Sequence, residues 1–188
     1  KKVKNGTGRL TALSFSNAEI ISGISFEDNK RVQELVSDPS NKPMLLYPAP
    51  GACNLSNGEL QKEDLEDKQL VLFLLDATWP LAKKMLKLSP VLQQLPCLMF
   101  VPQSKSRWKI KKQPSDLCLS TLETVHELLC TLEACGLDSY ERPKQLLEIF
   151  QRMQEYQLAC REDPAKPNYH SRLAVKTGTK QTRRRKKT

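Results

Sequence analysis

The chain reads as an α/β domain with a mainly parallel sheet and helices on both faces. Three apolar runs, at 44–47, 69–75 and 97–101, are continuous rather than alternating, as in strands covered on both faces. Helical patterns lie between and after them. At 188 residues the chain suits one domain, or one domain with tails, with a real core.

The start, Lys1-Lys2-Val3-Lys4-Asn5-Gly6, does not read as a signal peptide, because no apolar stretch follows its basic residues. A weaker strand candidate lies at 19–24. The first firm strand is Met44-Leu45-Leu46-Tyr47. Residues 57–68 are acidic and predict a surface helix before the second strand at 69–75. The next helix is expected over 79–88, with Leu81, Met85 and Leu88 on one face. Its entry, Thr78-Trp79-Pro80, puts proline in the first turn, where a missing N–H costs little. The third strand, 97–101, leads through a loop to a helix over 121–135. That helix repeats Leu122, Val125, Leu128, Leu129 and Leu132, and Gly136 supplies its stop. A last helix, 143–159, carries Leu146, Leu147, Ile149, Phe150, Met153 and Tyr156. After Asp163, Pro164-Ala165-Lys166-Pro167 ends helical structure. The expected division is a domain at 1–163 and a basic, disordered tail at 164–188. No internal repeat is evident.

Charge is unevenly placed. The net charge is +9, yet residues 1–165 balance 21 Lys and Arg against 21 Asp and Glu. The excess lies in the tail, which ends Arg183-Arg184-Arg185-Lys186-Lys187. Such a run reads as a polyanion-binding arm or a nuclear address, and the bland reading is a solvated tail. No run of about 18 apolar residues occurs, so no membrane partner is expected. The six cysteines form no CxxC pair and only two histidines are present, so no metal site is expected. Cys97 and Cys118 read as small core residues of a protein from a reducing compartment. The expected location is cytoplasmic, or nuclear in a eukaryote if the tail is an address.

In open α/β sheets ligands bind beyond the carboxyl ends of the strands. Three unusual segments stand there: Tyr47-Pro48-Ala49-Pro50-Gly51, Asp76-Ala77-Thr78-Trp79 and Val101-Pro102-Gln103-Ser104. Asp76, at the mouth of an apolar strand, is expected to be partly desolvated and is a candidate base. Its bland reading, which position alone favours, is a helix N-cap, a role open to Thr78 as well. Trp79 can stack on a base or fill the core. The loop 103–114 sets Lys105, Arg107, Lys109, Lys111 and Lys112 around Trp108, a pattern suited to a nucleic-acid backbone and a stacked base. Its bland alternative is a solvated strand. Leu119-Ser120-Thr121 opens the long helix and can hold a ligand carboxylate or ribose. With Glu123, Ser120 also fits a capping box.

Together these pieces resemble the DTW-domain family. Asp76-Ala77-Thr78-Trp79 is similar to its DxTW motif. Arg107-Trp108 through Pro114, then Leu119-Ser120-Thr121-Leu122-Glu123, resembles its second block. Leu45-Leu46-Tyr47-Pro48 resembles its LLYP element, and Asn5-Gly6-Thr7-Gly8-Arg9-Leu10 its TNTGRL element. The likeness runs over roughly residues 4–160. It implies a SPOUT-like trefoil-knot domain and transfer of the 3-amino-3-carboxypropyl group of S-adenosylmethionine to N3 of a tRNA uridine, releasing methylthioadenosine.

By this resemblance Asp76 is the base, and Arg107 binds the cofactor carboxylate or an RNA phosphate. Glu123 holds the amino group or orients the site. Tyr47, Pro48, Thr78, Phe100, Val101, Pro102, Leu119, Ser120 and Thr121 form the cofactor pocket. Trp79, Lys105, Trp108, Lys109, Lys111 and Lys112 face RNA. Many relatives carry a cysteine-rich, zinc-binding knuckle before the TNTGRL element, which this chain lacks; either the chain is truncated or this branch has none. The rival readings are an aminocarboxypropyltransferase of ribosomal RNA, a methyltransferase of the knotted class, and a non-catalytic RNA-binding protein.

Overall fold

A computed structural model describes residues 6–110 and 118–162. Lys111, Lys112, Pro114 and the tail 164–188 lie outside the described residues. The elements run α1 (Thr7–Ser14), α2 (Lys30–Ser37), β1 (Asn41–Leu46), β2 (Cys53–Asn54), β3 (Gln69–Phe73), α3 (Trp79–Lys87), α4 (Pro90–Gln93), β4 (Cys97–Met99), α5 (Thr121–Ala134) and α6 (Pro143–Glu162). The four strands lie in the order β2-β4-β1-β3, and every neighbouring pair is parallel. The architecture is therefore α/β with a parallel sheet and six α-helices among the described residues.

The continuous apolar runs are explained by covering on both faces. On one face Leu45 packs with Val32 of α2, Met85 of α3 and Val91 and Leu92 of α4. On the other, Met44 and Leu98 pack with Leu55, Leu60 and Leu65 and with Leu128 and Leu132 of α5. Alternate residues of β1 thus enter opposite cores, as the pleat requires. A third cluster, away from the sheet, joins Leu122 of α5 to Leu146 and Phe150 of α6, with Leu10 and Phe15 from the α1 region and Trp108 packed against it.

Pro43 lies inside β1, a strand with neighbours on both sides. The N–H groups of Leu45 and Tyr47 donate to Pro96 and Leu98, so the missing N–H of Pro43 falls on the β4 side. Pairing with β4 begins only at Leu45. Pro43 therefore stands on a local edge, where proline removes no ladder bond.

Two expected elements are absent. Residues 57–68 are not an α-helix; one 3-10 turn, Leu55–Asn57, ends where the stretch begins, and a second, Lys62–Leu65, lies within it. Gly58 between them takes φ +70°, which ends the first turn, and Glu66 and Asp67 are also left-handed. The acidic residues act locally: Asp64 accepts from the Gln61 N–H and Glu59 from the Asn54 N–H. Nor is 19–24 a strand. It leads into a segment that caps α4, where Phe26 N–H donates to Ser89 Oγ and Val91 N–H to Glu27.

Conversely, α1, α2, α4 and β2 were not anticipated. The first contains glycine and two threonines and buries only Thr11, so its apolar face is weak. It is held by packing on α5 and α6. By contrast α3, α5 and α6 form where their apolar spacing predicts them. Gly136, at φ +69°, follows the C-cap of α5.

Leu98 is fully buried between strands and α5. Leu98→Ala is expected to destabilise the fold by about 2–5 kcal/mol, measured by urea unfolding. A loss below about 1 kcal/mol would contradict this packing.

Candidate active site

Because β1, β3 and β4 are parallel, their carboxyl ends open on one rim. The Tyr47-Pro48, Asp76–Trp79 and Phe100–Pro102 segments therefore converge, as expected from strand order. Val101 N–H is tied down by Ser56 Oγ at 2.8 Å.

Asp76 is exposed rather than partly desolvated, because β3 ends at Phe73 and the chain has left the sheet before it. It does not cap α3; Thr78 occupies that N-cap and makes no side-chain cap bond either. Asp76 Oδ1 instead accepts from Thr121 Oγ1 at 2.6 Å. This bond joins the end of β3 to the first residue of α5 across 45 positions of sequence. On the other side lies α1. A Cβ placed on Gly8 would collide with the Asp76 carboxylate, 2.6 Å from its Cγ. Only a glycine lets α1 approach this closely. Gly8 was part of a motif in sequence, but its contact is visible only in three dimensions.

Trp79 is half exposed, and its ring meets that of Tyr47 edge-on, with centroids 6.1 Å apart. Its open face is at the rim. Trp108 is placed differently: its ring stacks on Phe150 at 5.0 Å and 25°, within the third core. The indole face that the basic loop offers in sequence is thus covered by the protein. Lys105, Arg107 and Lys109 are exposed around it.

Glu123 is buried, 3% exposed. The capping box with Ser120 forms in both directions: Ser120 N–H donates to Glu123 at 2.9 Å and Glu123 N–H to Ser120 Oγ. The same carboxylate accepts from Ser106 Oγ at 3.0 Å and from the Arg107 N–H at 2.5 Å. One turn later Glu127 accepts from the Gln103 N–H at 3.1 Å. Two acids at i, i+4 on α5 thereby bolt the basic loop to the helix. Ser106, Glu127 and Gln154 were not singled out in sequence. The repeat of Glu123 and Glu127 on one helix face was the available signal for the second of these.

A small cleft between the loop and α5 is lined by Lys105, Arg107, Leu119, Glu123 and His126. His126 Nδ1 lies 3.3 Å from the Tyr140 hydroxyl. Burial pushes the His126 pKa down; the charge of Glu127 opposes this and that of Arg107 reinforces it. Burial also drives the Tyr140 hydroxyl up to about 12. Among the described residues no group of three or more His, Cys, Asp or Glu side chains could hold a metal ion. No helix among them is long and apolar enough to cross a membrane.

The rim thus gathers an aspartate, a helix start, exposed cations and an open tryptophan face. Comparison with known families decides what this arrangement belongs to: the DTW-domain model matches residues 1–158. The chain is a member of the DTW-domain family. It is 33% identical over 103 residues to tRNA-uridine aminocarboxypropyltransferase 2 of Drosophila melanogaster. That stretch is 55% of this chain and 38% of the relative, so the chain matches well under half of the relative's length. No solved structure matches the chain. In this DTW domain the motif that names the family provides both the carboxylate held by Thr121 and the open indole beside Tyr47.

The Gly8–Asp76 approach gives a thermodynamic test. Gly8→Ala is expected to cost about 1–3 kcal/mol in the native background by overpacking. In an Asp76→Ala background the cost should largely vanish, since the colliding group is gone. Urea unfolding of the four proteins measures this coupling; additive effects would show that the two residues do not press on each other.

Proposed function

We propose that this DTW domain is a tRNA-uridine aminocarboxypropyltransferase that moves the 3-amino-3-carboxypropyl group of S-adenosylmethionine to N3 of a uridine and releases methylthioadenosine. The family match and the named relative support the reaction class. The observation that carries the site is the Asp76 carboxylate, exposed at the rim and held by Thr121 at 2.6 Å.

The residues present fit the donor. Tyr47, Pro48, Phe100, Val101 and Pro102 offer aromatic and apolar surface at the strand ends for an adenosine. Thr78, exposed and without a cap bond, offers a hydroxyl nearby. The side-chain cap of α5 bonds only the Glu123 N–H, which leaves the N–H of the half-buried Thr121 to the donor's carboxylate. When bound, S-adenosylmethionine supplies an electrophilic γ-carbon attached to a sulfonium leaving group.

The chain's own residues do the rest. Uridine N3–H is weakly acidic, and the nitrogen attacks only as its proton leaves. With Oδ1 engaged by Thr121, Oδ2 of Asp76 is the oxygen that takes that proton. Arg107 holds an anion, the donor carboxylate or an RNA phosphate. Glu123 has its oxygens filled by Ser106, Arg107 and Ser120, which favours an orienting role over binding the donor's amino group. Trp79 offers a face for a stacked base. Lys105 and Lys109, with Lys111 and Lys112 farther along the sequence, meet the RNA backbone. The SPOUT-type knot belongs to this proposal. The strand order, with β4 between β1 and β2, is compatible with it.

Incubation with tRNA and S-adenosylmethionine, followed by nucleoside mass analysis, is expected to reveal a uridine carrying an aminocarboxypropyl group. A methyl increment would overturn the reading in favour of a methyltransferase. Asp76→Ala is expected to abolish transfer with tRNA affinity nearly intact; a binding-only protein would retain all its function.

The tail adds a separate expectation. Removing residues 176–188 deletes seven Lys and Arg. It should weaken tRNA binding and flatten its salt dependence, read by titration at several salt concentrations. An unchanged slope would reject a direct RNA role for the tail.

A further inference from the structure

The loop 103–110 carries cations assigned above to RNA, yet it has no regular secondary structure. Much of its order comes from α6. Gln154 is 4% exposed, and both ends of its carboxamide are used. Nε2 donates to the Arg107 carbonyl at 3.1 Å, and Oε1 accepts from the Lys109 N–H at 2.6 Å. One helical turn earlier on the same face, Phe150 stacks on Trp108. The pair Phe150 and Gln154 therefore grips three consecutive residues: the ring of Trp108 and the backbone on either side of it.

This grip has a consequence for charge. With Trp108 turned inward, Arg107 and Lys109 on either side are exposed. Neither makes an ion pair among the described residues. The buried polar groups that hold the segment, Gln154 and Glu123, bond its backbone and the Ser106 hydroxyl, not its cationic side chains. Gln154 follows Leu146 and Phe150 at i, i+4 spacing in a buried stripe of α6. An apolar residue there would fill the space but would leave the Arg107 carbonyl and Lys109 N–H unpaired.

We infer that Gln154 is a positioning residue for RNA binding: its buried carboxamide fixes the backbone at 107–109 so that Arg107 and Lys109 stay exposed, with no ion-pair partner among the described residues, to meet the RNA backbone. This rests on the reading that the loop engages tRNA. Gln154 touches no substrate itself.

The test uses the full chain, S-adenosylmethionine and an unmodified tRNA transcript. Gln154→Met keeps the volume and removes both hydrogen bonds. It is expected to raise KM for the tRNA on the order of tenfold. With Arg107 assigned to an RNA phosphate and not to the donor carboxylate, the kcat at saturating tRNA and the KM for S-adenosylmethionine should stay unchanged. A lowered Tm with an unaltered tRNA KM would overturn the inference, because it would mark a purely structural residue. Should Gln154→Met fail to fold, Gln154→Glu decides. It keeps the acceptor for Lys109 and loses the donor to Arg107, so a smaller rise in tRNA KM is expected and a native KM would overturn the inference.

The double variant Arg107→Ala/Lys109→Ala separates the two levels. Adding Gln154→Met to it should raise KM no further, and an additive rise would overturn the inference. If the double variant binds tRNA as the native chain does, the RNA reading of the loop fails, and the inference with it. If it binds weakly while the Gln154 variants bind normally, the positioning role alone fails.

Discussion

The buried carboxylate of Glu123 is the constraint on which the site depends. A charge 3% exposed is tolerated only when its oxygens are fully hydrogen-bonded. Glu123 meets that demand with donors from two places, the start of its own helix at Ser120 and the basic loop at Ser106 and Arg107. Moving either element would leave the carboxylate short of partners. The first turn of α5 and the loop are therefore one unit. Thr121, in that turn, extends the unit to Asp76 at the end of β3. Leu128 and Leu132, about two and three turns further along α5, seat the helix on the sheet.

This arrangement separates holding from display. The groups that hold the loop are acidic or amide side chains on α5 and α6, and they bond mostly to its backbone. Had Glu123 paired with the Arg107 guanidinium instead, the loop would be ordered but its charge spent. By bonding the N–H, the helix orders the chain and leaves the cation outward. A polyanionic partner gains from cations whose positions are already set, because less side-chain and loop entropy is lost on binding.

The N-terminal helix contributes by proximity rather than by charge. Its packing on α5 and α6 brings Gly8 against the Asp76 carboxylate. Asp76 is thus confined between a hydroxyl and a bare Cα while remaining exposed to solvent. A flexible surface aspartate would have to be ordered on each encounter with substrate; here the fold has already restricted it.

Much of the fold was legible in the residue order. Continuous apolar runs announced strands buried on both faces, and the spacing of Leu122, Leu128 and Leu132 announced α5, because burial writes its period directly into sequence. The rim followed from the parallel order, and the capping box of Ser120 and Glu123 from its pattern. What sequence left open was which use each polar or aromatic residue takes. Trp79 allowed a core or a stacking role, Trp108 a stacking role or a place in a solvated strand, and Asp76 a cap or a base. Tertiary structure turned Trp108 onto Phe150, left Trp79 open beside Tyr47, and gave Asp76 to Thr121. It also recruited Gly8 and Gln154, whose partners lie 68 and 45 to 47 positions away. The physical reason is locality. Periodicity and capping are set by neighbours within a few residues, whereas the partner of a polar side chain is whichever distant group the packed cores bring within about 3 Å.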